Sequence, residues 1–202
     1  MAGKRELKRE ELKGSLLAAA SNIIEGDGIR ALNARTVTSN AGCALGSLYT
    51  AFEDLDDLII HVNSLTLRRL AEDLANDMKD VKEPVAVLKG LATGYVRFAR
   101  NNFALWSTLF DYYAITIGDV PDWHQEEQTF LINYIQEPVM QLSPGLSLEE
   151  ATLRSRTLFA AVHGIVTFSL QDRYIGVAPD ELESELDKFI DQMLKGLSST
   201  SV

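Results

Sequence analysis

Residues 28–52, GIRALNARTVTSNAGCALGSLYTAF, decide the fold. Asn33 can cap a short helix from about Ala34 to Ala41, with Val37 and Ala41 facing inward. Leu45 to Ala51 forms the next short helix, with Leu48 inward and Phe52 closing a small core. Only Ala41-Gly42-Cys43-Ala44 separates the two patterns. A connection this tight is that of a helix-turn-helix, which lays its second helix in the major groove of DNA. Neither short helix would be stable alone in water, so both must lean on a neighbour.

That neighbour precedes them. Residues 6–25 carry Leu12, Leu16, Leu17, Ala20, Ile23 and Ile24 on one face of a 3.6-residue period, and Gly26-Asp27-Gly28 ends the helix. Further on, a helix from Asp54 to about Lys79 carries Leu55, Leu58, Ile59, Val62, Leu65, Leu70 and Leu74. Pro84 suits the first turn of the next helix, which runs to about Asn101, and another covers Phe103 to about Ile117. Gly118-Asp119-Val120-Pro121-Asp122 reads as a loop. Trp123 to Gln141 is helical with Pro138 as a kink or stop. Ser147-Leu148-Glu149-Glu150 is a capping box opening a long helix to about Arg173. Pro179 opens the last helix, whose Leu182, Leu186, Phe189, Ile190, Met193, Leu194 and Leu197 form one apolar stripe. The expected fold is all-α with about nine helices, no strand and no internal repeat. It divides into a helix-turn-helix domain at 1–53 and a second helical domain at 54–202, with 54–79 as the connecting helix.

The 202 residues have the composition of an ordinary soluble globular chain, 46% hydrophobic and 24% charged. No apolar run reaches the ~18 residues needed to span a bilayer. The opening MAGKRELKRE has no apolar core, so no secretion signal is expected and the location is cytoplasmic. A single cysteine, Cys43, excludes an intrachain disulfide and any multi-cysteine metal site. The net charge of −10 is unevenly spread. Residues 1–50 hold seven basic side chains against five acidic, a net of +2, and the remainder holds 12 basic against 24 acidic. A mildly basic head and a body that phosphate would repel orient a DNA binder.

The head resembles the DNA-binding domain of the TetR/AcrR family of bacterial transcriptional regulators. The resemblance lies in the long amphipathic first helix, Gly28 with Ala31, Arg35, Ala41-Gly42, Gly46, Leu48-Tyr49 and Phe52, followed by the helix beginning near Asp54. It implies a homodimeric, ligand-responsive regulator that binds a palindromic double-stranded DNA operator. Ala44 and Leu45 stand where the family usually has a small polar residue and a lysine, and Leu55 stands where it commonly has a phosphate-binding lysine. Thr38 replaces a common alanine. Lys4, Arg5, Lys8 and Arg9 ahead of the first helix are candidates to compensate, along the minor groove or the backbone.

The candidate DNA-binding residues are therefore Lys4, Arg5, Arg35, Ala44, Leu45, Gly46, Ser47, Tyr49 and Thr50. Tyr49 offers a hydroxyl to phosphate, Ser47 and Thr50 offer hydroxyls to phosphates or base edges, and Gly46 lets the backbone approach the duplex. In the body, aromatic residues and a His163/Thr167 pair one turn apart suggest an apolar pocket with a few polar groups. Its candidate lining is Phe98, Trp106, Phe110, Tyr113, Phe130, Tyr134, His163 and Thr167, for a small lipophilic or aromatic effector. The candidate dimer interface is Phe159, Val166, Leu186, Phe189, Ile190 and Met193, from the last two helices. His61, His124 and His163 show no metal-ligand spacing, and no cofactor or catalytic motif is present, so neither metal, cofactor nor enzyme activity is expected. The alternative reading is a small-molecule binding protein with a weakened DNA-binding head.

Overall fold

The computed structural model describes residues 2–111, 121–171 and 175–198, and among these it contains nine α-helices and no strand. They are α1 (Ala2–Asp27), α2 (Ala34–Asn40), α3 (Leu48–Ala51), α4 (Leu55–Met78), α5 (Pro84–Asn101), α6 (Phe103–Asp111), α7 (Asp122–Leu142), α8 (Leu148–Leu170) and α9 (Leu182–Ser198). Two short 3-10 turns, Ile29–Ala31 and Leu45–Ser47, precede α2 and α3. The recognition segment expected as one helix is thus a 3-10 turn continued by a single α-helical turn. α7 runs through Pro138. Proline lacks the N–H that would bond the Tyr134 carbonyl, but it does not stop the helix. α9 begins at Leu182, three residues after Pro179. The expected helix ends at Ile117 and Arg173 lie outside the described residues.

The chain forms two compact units. The first comprises residues 1–68 and 102–120, the second residues 69–101 and 121–202. The boundary falls inside α4, beyond the residue-53 boundary expected from the sequence. The reason is packing. Leu58, Ile59 and Val62 of α4 and Leu105 of α6 join the core built by Leu16, Ala20, Ile23 and Ile24 of α1 with Val37, Leu48 and Phe52. The start of α4 and all of α6 are thereby part of the head.

Local chemistry holds the head's short helices in place. The Asn33 side chain accepts hydrogen bonds from the backbone N–H groups of Arg35 and Thr36, and the Thr36 hydroxyl oxygen accepts one from the Asn33 N–H. This satisfies donors that a seven-residue helix leaves open. Gly42 turns the chain at φ 67°, a left-handed geometry that costs glycine nothing. Thr38 is buried, and its hydroxyl donates to the Ala34 carbonyl at 2.8 Å, so the departure from alanine leaves no unsatisfied group. Cys43 is half-buried and packs against the same core.

In the second unit, α5 packs against α7, α8 and α9. Its apolar stripe Leu88, Leu91, Ala92, Tyr95 and Ala99 recurs at three- and four-residue steps and is buried. Charged pairs tie its outer edge. Lys89 Nζ bonds Asp187 at 3.1 Å and Asp191 at 3.0 Å, Arg100 bonds Glu183 at 2.7 Å, and Arg97 pairs with Asp77. α8 opens with the expected capping box. The Ser147 hydroxyl accepts from the Glu150 N–H, and the Glu150 carboxylate accepts from the Ser147 N–H at 2.8 Å.

Candidate nucleic-acid interface and effector cavity

The recognition segment presents two faces of opposite character. Leu48 is fully buried, Ala51 and Phe52 nearly so, and these anchor the segment on α1 and α2. Tyr49 beside them is 58% exposed and Leu45 46% exposed, unusual values for large apolar bodies that lack a partner. Ala44, Gly46 and Thr50 are exposed as well, and Ser47 is half-buried. The Thr50 hydroxyl donates to the Gly46 carbonyl at 3.2 Å. A side chain at Gly46 would meet nothing within 4 Å, so the free chain does not require glycine there. Arg35, Lys4 and Arg5 are exposed. Leu55, at the position where the family commonly has a phosphate-binding lysine, is half-buried against the head core. All nine candidate DNA-binding residues therefore lie outside the head core.

The second unit encloses an apolar cavity of about 480 Å³ when its open mouth is included. Leu74 of α4, Leu88, Leu91, Ala92 and Tyr95 of α5, Leu131, Tyr134 and Ile135 of α7, Leu158, Phe159 and Val162 of α8, and Ile190 of α9 line it. A polar chain stands behind one wall. The Tyr95 hydroxyl lies 2.8 Å from His163 Nδ1, and Thr167 Oγ1 lies 3.3 Å from His163 Nε2. A neutral imidazole has one donor and one acceptor nitrogen, so both contacts can be satisfied at once. Phe159 stacks on the His163 ring at an interplanar angle of 13°, which fixes the ring's plane. A greasy cavity with a hydroxyl held in its wall suits an uncharged hydrophobic molecule.

The expected lining is only partly brought together. Tyr134 lines the cavity, and His163 and Thr167 stand behind Tyr95. Phe98 is buried in the second unit but is not part of the lining, and Phe130, paired edge-on with Tyr134, is 45% exposed. Trp106 and Phe110 belong to the first unit, where Trp106 packs between Phe103 and Phe110. Tyr113 lies outside the described residues. Tyr95 and the aliphatic lining were not singled out from the sequence. Their signal was the convergence of three helical stripes, at 88–95, 131–135 and 158–162, which a linear reading assigns to core.

The candidate interface residues are likewise divided. Val166, Leu186 and Ile190 are fully or almost fully buried within the chain, and Phe159 and Ile190 line the cavity. Phe189 and Met193 are half-buried. The outer side of α8 instead exposes Leu153, Thr157, Ala160 and Phe168 around the half-buried Gly164. Among the described residues, no cluster of histidine, cysteine and carboxylates could hold a metal ion, and no helix is long and apolar enough to cross a membrane.

An exposed helix-turn-helix on one unit and a cavity-bearing helical unit define a transcriptional regulator with separate DNA-binding and ligand-binding domains. The family model of the tetracyclin repressor-like C-terminal domain matches residues 88–193. The chain belongs to the TetR family of transcriptional regulators. Among solved structures, a protein of unknown function from Rhodococcus sp. RHA1 superposes with a TM-score of 0.76 at 21% identity, over 93% of this chain and 95% of that one. A TetR-family transcriptional regulator from Streptomyces coelicolor gives 0.71 at 17% identity, over 98% and 96%. RolR, solved in complex with resorcinol, gives 0.69 at 16% identity, over 96% of each chain. Among curated proteins none matches this chain.

Proposed function

We propose that this chain is a homodimeric repressor, working in the cytoplasm, that a small lipophilic or aromatic effector releases from a palindromic operator. The observation that carries this reading is the exposed face of the recognition segment: Tyr49, Leu45 and Gly46 turn outward from a segment anchored by Leu48. Arg35, Ala44, Ser47 and Thr50 complete the contact surface, with Ser47 and Thr50 placed for phosphates or base edges. Two copies pair through α8 and α9 into a four-helix interface, using the outward Leu153, Ala160, Gly164 and Phe168 with Phe189 and Met193. Each copy offers its recognition segment to one major groove, so half-sites lie a helical turn or more apart.

Effector binding in the cavity acts through α4, whose Leu74 lines the cavity while its Leu58 and Val62 belong to the head core. A differential binding energy of about 1–3 kcal/mol between two geometries of the dimer changes operator affinity roughly 5- to 150-fold. The apolar lining, and the resorcinol bound by RolR, support an uncharged aromatic effector.

The test uses a duplex selected from a random-sequence pool by the intact protein. Tyr49→Ala is expected to abolish retention of that duplex and leave unchanged the thermal shift produced by 1-naphthol, a neutral aromatic probe of the cavity. Loss of both together would refute the modular reading. The recognition segment carries no basic residue, which favours a second reading: a small-molecule binding protein whose head has lost DNA affinity. Failure of the intact protein to select any duplex, with the naphthol shift retained, would establish it.

A further inference from the structure

Residues 3–11 of α1 do not pack on the head. Residues 3–11 are exposed throughout, and contact with the core begins at Leu12. From there the packing stripe of α1 runs Leu12, Leu16, Ala19 and Ile23, at alternating steps of four and three. Continued backward by the same steps, the stripe meets Arg9 and then Arg5. The face that α1 turns toward the head core therefore changes from leucine to arginine where the core ends. At about 100° per residue, Lys8 and Lys13 flank that line, Lys4 and Glu6 lie at its two borders, and Leu7, Glu10 and Glu11 take the opposite side.

This basic half-face has no use in the free chain. Lys4, Arg5, Lys8 and Arg9 make no ion pair or hydrogen bond among the described residues. Lys4 and Arg5 also stand in a first turn without an acidic residue, where the helix dipole disfavours cations. Five of the eight basic residues of the first unit fall within its first 13 positions, and residues 43–52 contain none. The position of this charge is defined. Lys13 Nζ lies 5.9 Å from the centre of the Phe52 ring, and Phe52 ends α3. The arm thus leaves the head beside the recognition segment, and at about 1.5 Å per residue Lys4 stands about 14 Å further out.

We infer that this helical arm is a second DNA-binding element, which sets Arg5 and Arg9, with Lys4 and Lys8, against the phosphates flanking the groove that α3 enters. It rests on the DNA-binding reading above. A helix about 10–12 Å across does not enter a minor groove about 6 Å wide, so the arm follows the backbone from outside. Phosphate contacts of this kind position the protein and carry no base preference. The arm supplies the charge that Ala44, Leu45 and Leu55 do not.

The test measures affinity against salt for the selected duplex, with the intact protein and two variants. The first neutralises the arm, as Lys4→Gln, Arg5→Gln, Lys8→Gln and Arg9→Gln together. The second inserts two alanines between Glu11 and Leu12, which keeps the charge and rotates the arm by about 200°. Each lost phosphate contact flattens the log–log slope by about 0.9. Loss of two to four contacts per dimer flattens it by about 2–4, in both variants. The ratio of affinities for the selected and a scrambled duplex stays constant. An unchanged slope in the neutralised arm overturns the proposal while Tyr49→Ala still tests the reading beneath it. A loss in the neutralised arm but not in the rotated one reduces the effect to net charge and equally overturns directed contact. If the intact protein selects no duplex, reading and proposal fall together.

Discussion

The head and the body solve opposite problems with the same material. In the head, Leu48 and Phe52 are consumed by the core so that their neighbours Tyr49 and Leu45 are left outside. Its surface does the work, and its interior exists to hold that surface. In the body, Leu91, Tyr95, Leu158 and Val162 form an interior that is itself the candidate site, and the outer charges of α5 and α9 only hold the walls together. A substitution in the head's core should therefore act on DNA binding through stability. The same change in the body should act on ligand binding directly.

The largest expected effect tests that contrast. Leu48→Ala removes a fully buried side chain from a small core and is expected to cost about 2–5 kcal/mol. Thermal unfolding followed by circular dichroism should show an early phase from the first unit, with the naphthol shift of the second unit preserved. A single cooperative loss of both would show that the two units do not fold as separable bodies.

A smaller effect probes the polar chain behind the cavity wall. His163→Leu deprives the Tyr95 hydroxyl of its 2.8 Å partner and is expected to destabilise the second unit by about 1–3 kcal/mol. Adding Tyr95→Phe to that variant should recover part of the loss, because the tyrosine hydroxyl that lost His163 is then gone as well. A double-mutant cycle by denaturant titration measures this coupling, and strict additivity would show that the bond carries nothing.

Among the described residues a capping box stands in each unit, at Asn33 and at Ser147. Asn33→Ala and Ser147→Ala should each cost about 0.5–2 kcal/mol. Only Asn33→Ala should weaken duplex retention as well, since α2 supports the recognition segment. Equal effects on retention would break the division between head and body.

The smallest effects are those of pH, and they belong to the second unit. Hydrogen bonds to Asp191 and then Asp187 hold the Lys89 ammonium above the ordinary lysine range. Its contribution to stability is fully present below that range and is lost as pH rises through the raised value. Hydrogen bonds from the Ser147 side chain and backbone hold the Glu150 carboxyl below the ordinary range. That contribution is present above the ordinary carboxylate range and is lost as pH falls through the lowered value. Lys89→Met should flatten the alkaline limb of the melting temperature against pH, and Glu150→Gln the acid limb.

The head was largely legible in the sequence because its determinants are local. Asn33, Gly42 and the alternation of Leu48 with Tyr49 each act within four residues, so spacing identifies both the turn and its outward face. Charge segregation on residues 4–13 was also present in the sequence, but its direction was not. Only the packing of Leu12 and Leu16 shows that Arg5 and Arg9 continue the face that α1 turns to the head core. The cavity was barely legible. Its lining obeys the same three- and four-residue periodicity as ordinary core, because burial against a neighbour and burial against an empty space demand the same side chains. For that reason Trp106, conspicuous by its chemistry, lies in the head unit, whereas Tyr95 and aliphatic side chains line the site. Sequence alone determined the helices, their order and the recognition turn, through hydrogen bonds and periodicity that act at short range. Tertiary structure alone decided where α4 passes from one unit to the other, which face of the arm continues the core-facing stripe of α1, and where helices from distant parts of the chain leave room for a ligand. Those outcomes depend on contacts between residues far apart in sequence, which no local pattern encodes.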